Sequence, residues 1–314
     1  MKLIFFGSDN ISVPFFHILI HKGYKIELLI TQTGKKAGRH LKEVQPLVKE
    51  IADSFNIPVH QTEKLKEDEF AYNLIRKIDP DLGAIASFGQ IVPKRIIDLP
   101  KKGIINLHLS LLPKYRGAAP VQWAIIKGEK KTGVTVFFIN ENLDEGDIIL
   151  QQEIEIHESE NAYQLENHLI EVGKKLLIDA IDKIEKGIFT TIKQNHSEAT
   201  YAPKLKKEDG NLNWNLTSIE IDRYVRALIE WPGTYTYFRK KMLKISRGIP
   251  EKIVFNNSPG TISKIDKNGI YVSCGLNTTY ILTEVQLEGK KKIDAYSFSL
   301  GARITPGEVF SQSL

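Results

Sequence analysis

Cysteine is almost absent. Cys274 stands alone in 314 residues, which excludes an intrachain disulfide and any zinc site built on paired thiolates. It falls in the apolar run IYVSCGL and reads as an inert core thiol. No stretch approaches the ~18 consecutive apolar residues of a membrane-spanning helix. The opening MKLIFFGSDN breaks at Gly7 after a short apolar run, too short for the core of a signal peptide. It reads as a first strand, and the chain as a cytoplasmic protein. Phosphate-binding fingerprints are missing too. The first strand is followed by FFGSDN rather than G-x-G-x-x-G, and there is no Walker-type loop, so no close approach to a pyrophosphate is encoded. His17, His21, His40, His60, His157, His168 and His196 lack metal-ligand spacing with a partnering carboxylate, and no metal site is expected.

What remains is an ordinary soluble composition, 42% hydrophobic and 26% charged, in a chain long enough for two domains. Residues 1–200 alternate strand and helix signals. KLIFF, KIELLIT, LGAIAS and GIINL are continuous apolar runs, typical of strands buried on both faces, and their alternation with helical patterns implies a mostly parallel sheet. Ser12 is the expected N-cap of the first helix and Gly23 its stop. Near YAPKLKKEDGNLNW the chain turns polar and Lys-rich, which sets domain limits of 1–202 and 210–314 around a linker at 203–209. Beyond it one helix, SIEIDRYVRALI, is followed by short strand runs such as KMLKIS, GIYVSC and TYILTEVQ, the pattern of a small β-barrel. The net charge of +5 lies entirely in this last third: from Leu205 onward there are 16 Lys+Arg against 11 Asp+Glu. That asymmetry points to an anionic partner or to a solvated basic surface.

The stretch NLHLSLLPKYRGAAPVQWAI departs from ordinary core. Asn106 and His108 lie two apart at the end of an apolar strand, so their side chains share one face. Both carry N–H donors, and two converging donors can hold an oxygen on which negative charge develops. Asp144, in the polar loop NENLDEGDIIL, is a carboxylate able to stabilise an imidazolium and relay a proton. Spacing alone leaves other readings open. The first pair can be satisfied strand-end polar groups, and Asp144 a turn cap, a task for which Asp147 is better suited.

These motifs, N-x-H-x-S-L-L-P-x-Y-R-G-A-A-P-x-Q-W-A-I followed by L-D-x-G-D, resemble the folate-dependent formyltransferases, most closely those acting on methionyl-tRNA. FFGSDNISVPF, TQTGKKAGR, SFGQIVPKRIIDLPKKGIINLH, TYAPKLKKEDGNLNW and RALIEWPGTYT extend the resemblance along nearly the whole chain. It implies a Rossmann-like α/β catalytic domain with a small C-terminal OB-like β-barrel. It also implies formyl transfer from 10-formyltetrahydrofolate to the amino group of methionyl initiator tRNA, by a monomer and without a metal. Asn106 and His108 would then polarise the formyl oxygen, and Asp144 would orient His108. Ser110, Leu111, Leu112 and Pro113 would contact the folate. So would the stretch Ala86–Val92, with Ala86, Phe88, Gly89, Gln90, Ile91 and Val92.

In the resembled enzymes the loop Thr33–Glu43 enters the acceptor end of the tRNA, which makes Lys35, Lys36, Arg39 and Lys42 candidate contacts. Thr33-Gly34-Lys35-Lys36 stands where Pro-Asp-Arg-Pro is usual in that family. Lys204, Lys206, Lys207, Arg239, Lys240, Lys241 and Arg303 are further phosphate candidates, with Lys290, Lys291 and Lys292 beside them. Trp214 and Trp231 can stack on bases, although the apolar company of Trp231 favours a core role. A sugar-nucleotide N-formyltransferase is the alternative enzyme reading. An RNA-binding protein that has lost formyltransferase activity is the alternative from another class. If the basic third holds RNA phosphates, log K should fall linearly with log[salt], by about 0.7–0.9 per phosphate. A flat response in a salt titration of RNA binding would remove that role.

Overall fold

The computed structural model describes residues 1–37 and 42–313. The chain divides into two compact units, one of Met1–Pro120, Lys131–Glu155 and Glu166–Pro203, the other of Val121–Lys130, Ile156–Leu165 and the chain from Lys204 onward. The first half of the chain holds β1 (Lys2–Phe6), α1 (Ser12–His21), β2 (Lys25–Gln32), β3 (Lys35–Ala37), β4 (Lys42–Val44), α2 (Leu47–Ser54) and β5 (Val59–Thr62). There follow α3 (Glu69–Ile78), β6 (Leu82–Ala86), α4 (Lys94–Ile97), β7 (Ile104–His108), β8 (Arg116–Gly117) and α5 (Pro120–Lys127). Next come β9 (Lys131–Phe138), β10 (Ile148–Glu155), α6 (Ala162–Lys186) and β11 (Tyr201–Ala202). The last third holds α7 (Ser218–Ala227), β12 (Thr234–Phe238), β13 (Lys241–Glu251), β14 (Ile262–Asp266), β15 (Gly269–Ser273), β16 (Thr279–Leu287), β17 (Ile293–Asp294) and α8 (Ala295–Gly301).

In the first unit seven strands form one sheet in the order β10-β9-β7-β6-β1-β2-β5. The strands from β5 to β7 run parallel, whereas β9 runs antiparallel to both β7 and β10. The central strands are apolar on both faces because helices cover both faces: β6 is buried throughout, and so is β1 after Lys2. Strand order reverses between β1 and β6, and in open α/β sheets a crevice at the carboxyl ends marks such a reversal. Ser12 does not cap α1. Ile11 occupies the cap, and the buried Ser12 hydroxyl donates to the Asp9 carbonyl at 2.6 Å. Gly23 does end the helix, with φ of +77°, a left-handed conformation that glycine adopts without strain. β3 and β4 form an antiparallel ladder pairing Lys35 with Val44 and Ala37 with Lys42.

In the second unit the strands order as β12-β13-β16-β15-β14, with β17 beside β16. The segment 307–311 closes them into a barrel. Tyr237 and Ser311 exchange backbone bonds of 2.9 and 3.0 Å at the β12 edge, and Gly260–Phe310 and Ile262–Glu308 bond at the β14 edge. The core inside includes Trp214, Phe238, Leu243, Val272, Tyr280 and Phe310. Phe310 stands 5.8 Å from the Trp214 ring and 5.5 Å from that of Phe238. Helix α7 packs on β13 and β16. It opens with a capping box in which Glu220 accepts from the Thr217 backbone N–H and hydroxyl, at 2.8 and 2.7 Å. Cys274 is 2% exposed, and burial pushes its thiol up to about 12, as expected of inert core.

Phe310→Ala should cost about 3–5 kcal/mol in chemical unfolding of the second unit; a loss below ~1 kcal/mol would show that the closing segment bears little of the packing. The backbone and hydroxyl bonds from Thr217 hold the Glu220 carboxyl below its usual range. Its stabilisation is therefore present at neutral pH and lost as pH falls through that depressed range. Glu220→Gln should flatten this part of the acid-unfolding curve, and an unchanged curve would contradict the capping role.

Candidate active site

At the carboxyl ends of the first sheet, the loops after β1 and β6 are tied across the strand reversal. The Ser8 N–H donates to the Ser87 carbonyl at 3.1 Å, and Gln32 Nε2 donates to the Phe88 carbonyl at 2.7 Å. On β7, the neighbour of β6, Ile105 and Leu107 turn into the core. Asn106 and His108 face the other way. Asn106 is half-buried, and its side-chain amide has no hydrogen-bond partner among the described residues. His108 is 7% exposed. Its Nε2 lies 2.9 Å from the Tyr115 carbonyl, and because a carbonyl only accepts, this nitrogen carries the proton. The Nδ1 edge faces Asp144 Oδ2 at 3.8 Å, within ion-pair range and beyond hydrogen-bond range.

Asp144 reaches that position through its backbone. The β9–β10 loop takes φ of +51° at Asp144, and the Gly117 N–H donates to Asp144 Oδ2 at 2.8 Å. Gly117 has φ of +118° and would set a Cβ 2.7 Å from the Ala202 carbonyl oxygen, so only glycine fits the close pairing of β8 with β11. Asp147 stands apart: its carboxylate accepts from the Thr191 hydroxyl at 3.4 Å.

Arg116 lies beneath. It is 1% exposed and donates from Nη1 to Glu145 Oε1 at 2.7 Å. Gln194 Oε1 accepts from its Nη2 at 2.8 Å and from its Nε at 3.3 Å. His196 Nδ1 lies 3.2 Å from Nη2. Gln194 Nε2 in turn donates to the carbonyls of Asp144 and Gly146, both at 2.8 Å. A Cβ at Gly146 would overlap the Phe138 carbonyl, so the loop passes that point only with glycine. Arg116 stands inside the motif read from sequence, yet its internal role carried no signal there. Nor did Gln194, fifty residues from Asp144 in an unremarkable polar stretch.

The segment after His108 is held rigidly. Ser110 Oγ donates to the Lys114 carbonyl at 2.7 Å, and the Leu112 N–H donates to Thr135 Oγ1 at 3.2 Å. Gln151 Nε2 donates to the Leu112 carbonyl at 3.0 Å. Leu112 packs on Phe137 and Ile148, Leu111 is half-buried, and the Leu112–Pro113 peptide is cis. In the 86–92 segment, Ala86, Phe88 and Val92 are side chains of the core. Gly89 takes φ of +75°, and Gln90 holds the Leu65 N–H and Thr62 carbonyl at 2.8 and 3.1 Å. Ile91 is 74% exposed. This segment therefore offers a ligand its backbone and Ile91 rather than a wall of side chains.

The cations read from sequence fall in different local settings. Arg39 lies outside the described residues, as do the side chains of Lys35, Lys36 and Lys42. In the second unit Lys204, Lys206, Lys207, Lys240 and Lys241 are exposed and make no ion pair among the described residues. Arg303 is exposed as well. Arg239 is already engaged: it forks onto Glu308 with two bonds of 2.8 Å and donates to the carbonyls of Ala302 and Arg303. Its guanidinium holds the Glu308 carboxyl below the usual range. Lys292 pairs with Glu284 at 2.9 Å. The two tryptophans exchange their expected places. Trp214 is 3% exposed, with its indole N–H donated to Thr236 Oγ1 at 3.1 Å, whereas Trp231 is 54% exposed. Ala227 and Leu228 before it turn to the core, whereas the nearer Ile229 is 45% exposed.

Among the described residues no group of three or more His, Cys, Asp or Glu is placed to hold a metal, and no helix is long and apolar enough to cross a membrane. Residues 1–181 match the family Formyl transferase, and residues 204–303 match Formyl transferase, C-terminal domain. Over 312 residues the chain is 40% identical to the methionyl-tRNA formyltransferase of Alkaliphilus oremlandii, covering 99% of this chain and 100% of that one. To that of Thermodesulfovibrio yellowstonii it is 43% identical over 305 residues, 97% of each. The fold is also similar to an N-formyltransferase from Helicobacter canadensis, solved with folinic acid and dTDP-3-aminofucose. There the TM-score is 0.66 at 22% identity, over 90% of this chain and 98% of that one, and the likeness is one of fold alone. The chain belongs to the formyl transferase family, among its methionyl-tRNA formyltransferases.

Proposed function

We propose that this protein transfers the formyl group of 10-formyltetrahydrofolate to the amino group of methionyl initiator tRNA, as a cytoplasmic monomer. The observation that carries the reading is the meeting of His108 and Asp144 at the end of β7, beside an Asn106 amide with no partner among the described residues. They stand in a chain whose relatives of matching length carry that activity in their names. The amine nitrogen bonds to the formyl carbon, the bond from that carbon to folate N10 breaks, and the proton lost by the amine ends on N10. The Asn106 amide donates to the formyl oxygen as negative charge builds there, where a fixed donor is worth most. From sequence, His108 is expected to donate to that oxygen beside Asn106. Because Tyr115 engages Nε2, that nitrogen anchors the ring, and the Nδ1 edge exchanges the proton. Asp144 beside it stabilises the imidazolium. No covalent enzyme intermediate is needed, since holding amine and formyl donor together supplies much of the acceleration.

The segment Ser110–Pro113 and the backbone of 86–92 line the folate side, and the exposed lysines of the second unit meet tRNA phosphates. The solved sugar formyltransferases share the fold at 19–23% identity. The full-length likeness to the tRNA enzymes favours them as the model for the acceptor.

The test is formyl transfer to methionyl initiator tRNA, run beside free methionine and a UDP-4-amino sugar. Product is expected on the charged tRNA alone, and His108→Ala and Asn106→Ala should each lower its rate by about 10²–10³. Formylation of the amino sugar instead would overturn the acceptor, and full activity in both variants would overturn the site.

A further inference from the structure

Asp144 holds its place against three costs: a left-handed backbone at a non-glycine residue, a carboxylate turned inward with 11% of its side chain exposed, and a single hydrogen bond accepted among the described residues, from the Gly117 N–H. Something must hold the loop in that conformation, and the groups that do so are internal. Gln194 is 6% exposed, and all of its hydrogen-bonding capacity is directed to this loop and to Arg116. Its amide N–H groups bind the carbonyls on either side of Glu145, those of Asp144 and Gly146, while its oxygen takes two bonds from Arg116. Arg116 grips the same loop a second time through Glu145, and its neighbour Gly117 supplies the N–H that aims the carboxylate. One buried guanidinium thus organises both sides of the contact, the carboxylate and its donor.

We propose that Gln194 and Arg116 are positioning residues for formyl transfer, acting through Asp144 and touching neither substrate. The inference rests on the role assigned to Asp144 above. Without the Gln194 amide the carbonyls of Asp144 and Gly146 lose their partner, and the strained φ at Asp144 can relax. Its carboxylate then leaves the Nδ1 edge of His108. A displacement of about 1 Å at a reacting group costs up to ~10² in rate. A lysine at 116 keeps the charge but not the planar fork that reaches Glu145, Gln194 and His196 together.

The experiment is a double-mutant cycle on the full chain, with kcat and KM measured for methionyl-tRNA and 10-formyltetrahydrofolate. Gln194→Ala should lower kcat by roughly 10- to 100-fold, with each KM changed less than threefold and the thermal midpoint held within a few degrees. Arg116→Lys should behave similarly, and it guards against a failure of Arg116→Ala to fold. On an Asp144→Ala background, Gln194→Ala should lower kcat less than twofold further, because the group it positions is gone. An equal loss in both backgrounds would overturn the proposal and leave Asp144 as it stands. An Asp144→Ala enzyme with unchanged turnover would instead overturn the role of Asp144 and the proposal with it.

Discussion

The structure of the site turns on one buried cation. A guanidinium taken out of water is tolerable only when its donors are met, and a half-satisfied one costs several kcal/mol. Arg116 meets that condition with Glu145, Gln194 and His196, drawn from two loops remote in sequence. Satisfying it forces those loops together behind the end of β7. The Asp144 carboxylate facing His108, the positive φ at Asp144 and the Gly117 N–H aimed at its oxygen all follow from that closure. So do the two glycines: at 117 and at 146 the backbones come too close for any Cβ.

The parallel sheet supplies the other half of the arrangement. Its apolar strands must be covered on both faces, so polar side chains have room only where the strands end. β7 ends in Asn106 and His108 beside β6, next to the reversal of strand order, the place at the carboxyl edge where open α/β sheets hold their ligands. Asn106 and Asp144 are then treated oppositely. The carboxylate is restrained by a network, whereas the amide is left without a partner among the described residues. A donor kept unpaired on a half-buried strand costs stability, a cost that a bound formyl oxygen would offset.

Much of this was legible in the sequence, for identifiable reasons. Continuous apolar runs gave the central strands, and the two-residue spacing put Asn106 and His108 on one face. The polar, Lys-rich stretch near 203 marked where the character of the chain changes. Less legible were features that depend on tertiary closure. Ser12 looked like a cap, but its hydroxyl folds inward to Asp9. The apolar company of Trp231 favours a core place, yet Trp231 is exposed and Trp214 is buried, because neighbouring apolar residues say nothing about which way a turn faces. Arg239 looked like a free cation until the C-terminal segment brought Glu308 to it. Gln194 could not have been found, since its importance lies entirely in what a loop fifty residues away does.

The decisive measurement is a crystal structure with 5-formyltetrahydrofolate bound, a formylated folate that does not react. The folate should enter at the carboxyl end of β7, with its formyl oxygen within about 3.2 Å of Asn106 Nδ2 and the formyl carbon facing the Nδ1 edge of His108. A folate bound elsewhere on the sheet, with its formyl group out of reach of Asn106, would contradict it.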